Sequence, residues 1–157
     1  VNHWSSRRKG ENETFYKRKN CAMTLLNDIE TNIPNWENEK IIIVGDMNDH
    51  PDDKSIYNVL GAKEMNSTAL LVNMQYANQQ KGLGTYNYHG DWGCIDNVIV
   101  TIPVKDQLIH KDAQIYRDDW ILFKSGTSSE TPNKTYGGSN YYGGYSDHLP
   151  VWFEVKL

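Results

Sequence analysis

The segment KIIIVGDMNDHPDD, Lys40 to Asp53, constrains the fold more than any other part of the chain. Ile41 to Val44 are four β-branched residues with no polar alternation, the pattern of a short strand covered on both faces. Gly45 follows, and then Asp46, Asn48, Asp49, His50, Asp52 and Asp53 fall within eight positions. Strand alternation predicts Asp46 and Asn48 on one side and Met47 on the other. A carboxylate and an amide would thus sit together at the carboxyl end of a buried strand, where layered α/β folds bind ligands.

The neighbouring periodicities supply the layers. Phe15, Ala22, Leu25, Leu26, Ile29 and Ile33 recur at helical spacing and predict a helix over Thr14 to Ile33, stopped by Pro34. Ser5 to Glu13 reads as a polar, mobile stretch after a strand end at VNHW. A short helix is expected over Lys54 to Leu60, closed by Gly61. GTYNYHGDWGCIDNVIV reads as a hairpin, with Thr85–Tyr88 going up, a turn over His89–Gly93, and Cys94–Thr101 returning. Further strands are expected at Ala113–Tyr116 and Pro150–Val155. Between them lies a long loop, Ser125 to Tyr145, rich in Gly, Ser, Thr and Tyr; loops of that length are usually functional or disordered.

Composition narrows the classes. A chain of 157 residues with five Trp, ten Tyr and three Phe can build one real core. A net charge of −4 argues against a broad basic face that tracks a polyanion, though a small polar site can still act on one phosphate. Cys21 and Cys94 form no paired metal pattern and read as small buried hydrophobes. No apolar run is long enough to span a membrane, and no signal-peptide pattern opens the chain. The compartment stays open, with a secreted or periplasmic location favoured over a cytoplasmic one.

Taken alone, NDHPDD fits a turn as well as a site, because Asp, Asn and Pro favour turns for local reasons. An EF-hand loop fails on spacing: Pro51 stands where the sharp-turn glycine belongs, and Tyr57 where the bidentate Glu belongs. Asp49, His50, Asp52 and Asp53 are therefore expected to be solvated turn and cap residues. Three other stretches join the pattern. Asp147 and His148 precede the terminal strand; Asp96 sits in an apolar strand, where it needs a partner such as a histidine; and His3 follows a strand residue.

In this chain order the four stretches resemble the endonuclease/exonuclease/phosphatase superfamily. The matching residues are Asn2-His3-Trp4, Arg18 on the next helix, Gly45-Asp46-Met47-Asn48, Ile95-Asp96-Asn97 and Ser146-Asp147-His148-Leu149-Pro150-Val151. The resemblance implies an α+β fold, the four-layer α/β/β/α sandwich of the DNase I-like type. It also implies a phosphoesterase using Mg²⁺ or Mn²⁺ and no covalent intermediate. Asp46 would activate water and also bind metal, Asn48 would donate to the phosphoryl oxygen, and Asp147 would bind metal. His148, held by Asp96, would contact the phosphate, and His3 a phosphate oxygen near the leaving group. Arg18 fits a solvated helix residue equally well.

Such sandwiches have two similar halves, and the first carries a metal-binding glutamate. This chain is expected to be the C-terminal half to two-thirds, roughly 100 residues short of a full domain, with no residue assigned to that glutamate. The expected consequences are weak Mg²⁺ binding, near-inactivity alone, and association with itself or with the missing half. Substrates consistent with the site are nucleic acid, a phospholipid headgroup or a small phosphodiester. An inositol-phosphate phosphatase, a phospholipase C-like enzyme and a non-catalytic binding module remain as alternatives.

Overall fold

The computed structural model describes residues 1–124 and 130–156. The chain opens with β1 (Asn2–His3) and α1 (Glu11–Asn32), then β2 (Ile42–Asp46) and a π-helical turn at Ser55–Leu60. β3 (Ala62–Lys63), β4 (Leu71–Asn73) and α2 (Tyr76–Gln80) follow. Next come β5 (Tyr86–Tyr88), β6 (Asp91–Gly93), β7 (Asp96–Thr101) and α3 (Ile102–Lys105). The described residues of the last third hold a 3-10 turn at Asp119–Ile121 and short strands: β8 (Gln114–Ile115), β9 (Leu122–Lys124), β10 (Glu130–Pro132), β11 (Tyr136–Gly137), β12 (Asn140–Tyr141) and β13 (Val151–Trp152).

The main sheet has the order β1-β2-β7-β4-β3, parallel at its two outer pairs and antiparallel within. Both faces of the sheet are packed. β2 itself is fully covered only at Ile43, while Val44 is half-buried and Ile42 is exposed, so the expectation of a strand covered twice holds in part. On one face, Ile43, Leu71 and Ile99 pack against Ala22 and Ile29 of α1, with Trp4, Met47, Ile56 and Leu60. On the other, Val72, Val98 and Val100 pack against Val104 of α3, Ala113 and the terminal segment's Val151, Phe153 and Val155. The architecture is α+β, with β8–β13 as a small second sheet on that face. Cutting a fully buried member of this core, such as Ile99→Ala, costs about 2–5 kcal/mol. Among the described residues no helix is long and apolar enough to cross a membrane.

Several boundaries differ from expectation for local reasons. α1 begins three residues before Thr14, where Gly10 at φ 102° turns the chain and Glu11 and Glu13 suit the positive helix start. The polar stretch before it is fastened rather than mobile, because Arg7 reaches across to the loop after β2. The helix expected at Lys54–Leu60 is the π-helical turn, and Gly61, at φ 77°, closes it as foreseen. Pro150–Val155 forms only the short β13, paired with β8 as expected of a strand near Ala113–Tyr116. Residues 125–129 of the expected long loop lie outside the described residues; the remainder carries β10 and the hairpin β11–β12. Both cysteines are free.

The largest difference is the hairpin. β5 pairs with β6 around a tight turn at His89 and Gly90, while β7 leaves to become the centre of the main sheet. Val98, Ile99 and Val100 are apolar on both faces, so a two-stranded ribbon could not cover them.

Candidate active site

The sheet register assembles the site. β1 against β2 pairs His3 with Asp46, and β2 against β7 pairs Asp46 with Asp96. Residues directly opposite in adjacent strands share a face, so the three side chains form one row across three strands. The row depends on close approach at Gly45, whose φ is 140° and where a Cβ would sit on the Asn2 backbone. His3 Nε2 lies 3.4 Å from Asp46 Oδ2, with its side chain 78% exposed.

Asp46 and Asn48 come together, but not by strand alternation. β2 ends at Asp46; Met47 turns into the core and donates its N–H to the Ile95 carbonyl. Asn48 then adopts the left-handed conformation at φ 50°, which asparagine tolerates well. Its backbone N–H donates to Asp46 Oδ1 at 2.8 Å, and its side-chain amide donates to Asp46 Oδ2 at 3.1 Å. The amide also donates to the Trp4 carbonyl at 3.1 Å, which ties β1 to the loop.

His148 joins the row from the C-terminal segment. Its Nδ1 lies 2.7 Å from Asp96 Oδ2, the carboxylate–histidine pair expected for that half-buried acid. The segment is pinned by the Leu149 N–H donating to the Thr85 carbonyl at 2.7 Å and by a bridge between Tyr86 and His148. The Tyr86 ring lies 4.9 Å from the imidazole. Burial alone would lower the His148 pKa. The bond to Asp96, with the charges of Asp96, Asp46 and Asp147, outweighs it and raises the net value above the usual 6.5. Asp46 is also raised above its usual range, first by burial and then by the Asp96 charge; the Asn48 N–H and the two histidines only partly offset this.

Asp147 is exposed beside His148. Two like carboxylates face each other across β2 and β7, and Asp96 is taken up by His148. Asp46 is not committed in that way, and the charges of Asp147 and Asp46 both act on Tyr86. Mg²⁺ binds through one or two carboxylates and keeps several waters, so carboxylates such as Asp46 and Asp147 are donors of the right type for it.

A second set of possible metal donors is His50, Asp52 and Asp53. Most of its capacity is engaged. Arg7 pairs with Asp53, which also accepts the His50 N–H, and Asp52 accepts from Gln80. His50 Nε2 packs against Gly93, in the space that a Cβ there would fill.

Asp49 and Arg18 correct the expectations. Asp49 is no solvated turn residue: it is 1% exposed and meets Arg18 Nε at 2.6 Å, Arg7 Nη2 at 2.9 Å and the Ser55 hydroxyl. Arg18 is fully buried and faces neither solvent nor the row; its other nitrogens donate to Thr14 Oγ1 and the Glu11 carbonyl. The Nε approach is ionic rather than aligned, since Nε lacks a well-directed hydrogen bond. His50 is half-buried with its pKa lowered, by burial and then by Arg7. The signal for this knot was Arg18 itself, an arginine on the α1 face that also carries Ala22 and Ile29.

The packing of Tyr86 on His148 had no sequence signal, because one tyrosine in a three-residue strand has no pattern. The row accounts for His3, Asp46, Asn48, Asp96 and His148; Asp147 is exposed, next to His148 in the chain.

No curated protein and no solved structure matches the chain. A family model described as Endonuclease/Exonuclease/phosphatase family matches residues 1–157, the whole length. Members of that family are generally hydrolytic enzymes, and the α+β architecture agrees with its DNase I-like domain. The chain therefore belongs to the endonuclease/exonuclease/phosphatase family.

Proposed function

We propose that the protein hydrolyses phosphodiesters, with Asp46 activating the attacking water. One observation carries this reading: the row His3–Asp46–Asp96 with His148 on Asp96, which sets a carboxylate and a histidine side by side as candidate base and acid. Asp46, raised by burial, is a better proton acceptor than a free carboxylate. Asn48 holds it through two hydrogen bonds and can present its amide to a phosphoryl oxygen. His148 spends Nδ1 on Asp96, which leaves Nε2 to meet phosphate as a charged donor. His3, open to solvent, is placed for an oxygen on the leaving-group side.

Asp46 and Asp147 would hold Mg²⁺ or Mn²⁺, which supplies charge neutralisation at the phosphoryl group. Two carboxylates make a weak site, so Mg²⁺ should bind the 157-residue chain only loosely and the chain should turn over slowly alone. Full-rate hydrolysis by residues 1–157 at saturating Mg²⁺ would overturn that. We also infer association of the chain with itself or with further strands of a sandwich, because Met23, Ile42 and Leu70 are exposed. A dilute monomer by sedimentation, with no added chain, would count against it.

The substrate reading stays at the phosphodiester. Tyr136, Tyr141, Tyr142 and Tyr145 are exposed just before Asp147, and exposed rings suit a base, a sugar or a lipid headgroup. A screen of bis-p-nitrophenyl phosphate, DNA, sphingomyelin and inositol phosphates with Mg²⁺ tests the proposal and ranks those classes. If none is hydrolysed while Asp46→Asn and His148→Asn still bind ligand normally, a non-catalytic binding module is the better account.

A further inference from the structure

The geometry around His148 leads to one residue with no role in the account above. β5 is fixed twice to the His148 segment, by the Leu149–Thr85 hydrogen bond and the Tyr86–His148 bridge. It is fixed again to β6, where Tyr86 faces Gly93. The Tyr86 ring lies 4.9 Å from the imidazole at 41°, packed against it. The tyrosines Tyr57 and Tyr116 donate their hydroxyls to Glu64 and Asp118. Tyr86 donates to none of the described residues, although it is half-buried among polar groups. Burial, and then the charges of Asp147, Tyr88 and Asp46, raise its pKa, so at neutral pH it keeps its proton.

We propose that Tyr86 is a substrate-contacting residue whose hydroxyl donates a hydrogen bond to a phosphoryl oxygen at this site. The proposal rests on the phosphodiesterase reading of the row. A site lined by Asp46, Asp96 and Asp147 repels an anion, and every fixed donor that faces it offsets part of that repulsion. Asn48 supplies an amide, His148 a charged imidazole, and Tyr86 a neutral hydroxyl whose own ring packs beside that imidazole. A neutral donor adds attraction without drawing the carboxylates into an ion pair that would spend them.

Tyr86→Phe removes one oxygen and keeps the ring, so the fold and the His148 packing are retained. Two readouts are taken on the full-length protein: the affinity for inorganic phosphate by NMR titration, and kcat/KM on bis-p-nitrophenyl phosphate with Mg²⁺. The variant is expected to lose about tenfold or more in both, the effect of one hydrogen bond to a charged group, with an unchanged unfolding midpoint. If the wild-type protein hydrolyses the diester and Tyr86→Phe matches it in both readouts, the Tyr86 contact is overturned and the row stands. If the wild type binds phosphate and Tyr86→Phe binds it more weakly, yet neither hydrolyses any diester, the contact stands and the reaction is overturned. Absence of both binding and hydrolysis in the wild type overturns both.

Discussion

Asp46 and Asp49 are three residues apart on one loop, and burial raises the pKa of both, yet they do opposite things. Asp49 is saturated. Arg18, Arg7 and Ser55 surround its carboxylate, and the Asn97 amide donates to its own carbonyl at 3.0 Å. Asp46 has two hydrogen bonds from Asn48, an exposed histidine and an open side. The loop thus has a locked back and an available front. What separates structure from chemistry here is the supply of partners rather than the residue type, because a carboxylate fully committed to guanidinium has no lone pair left for water or a cation. Arg7 links the two sides, since its Nε donates to the Asn48 carbonyl at 2.6 Å while its Nη2 holds Asp49.

The largest effect expected from breaking this contrast is on stability, at the back. Asp49→Ala strands Arg18 as an unpaired, fully buried charge and should cost about 3–5 kcal/mol, read as a lower urea midpoint. Replacing both partners, Arg18→Met with Asp49→Leu, should recover most of that loss; a double variant as unstable as the single one would refute the pairing argument.

A smaller effect is expected at the front, in the pH profile. The His148 pKa is raised in the folded protein, so its charged pair with Asp96 is complete below pH 6.5 and is lost as pH rises through the higher folded value. Hydrolysis should therefore fall on the alkaline side above pH 6.5, and Asp96→Asn should move that limb to lower pH. On the acid side the rate should fall as Asp46 protonates, which begins above its usual 3.8. An alkaline limb that Asp96→Asn leaves in place would separate His148 from the reaction.

The smallest effect on stability belongs to His3. Its contact with Asp46 is largely exposed, and pairs of that kind are worth about 0–1 kcal/mol. His3→Ala should leave the urea midpoint almost unchanged while lowering kcat, and a fall in both would make His3 a packing residue.

Much of this was readable in advance. The β2 run announced a strand, the apolar spacing of α1 gave a helix to cover one of its faces, and Asp96 in an apolar strand demanded the histidine that the fold supplies. The turn residues misled because local preference says nothing about distant partners. NDHPDD is a turn, but only Arg7 and Arg18, far away in sequence, decide that its Asp49 is buried. Likewise β4 is three residues long, too short to show any period, and its place beside β7 is a matter of non-local pairing. The hairpin was misread for the same reason: β5 and β7 are both good strands, and only the need to cover Val98 to Val100 twice assigns β7 to the main sheet.

The most direct test of the central claim is a crossed comparison in the full-length protein: kcat on bis-p-nitrophenyl phosphate at saturating Mg²⁺, and the urea midpoint, for Asp46→Asn and Asp49→Asn. The account predicts that Asp46→Asn loses about 10²–10⁴-fold in kcat with no loss of stability, since it removes a carboxylate that burial disfavours. Asp49→Asn should chiefly lower the midpoint. An Asp46→Asn protein that turns over normally, or one that loses activity only by unfolding, would contradict it.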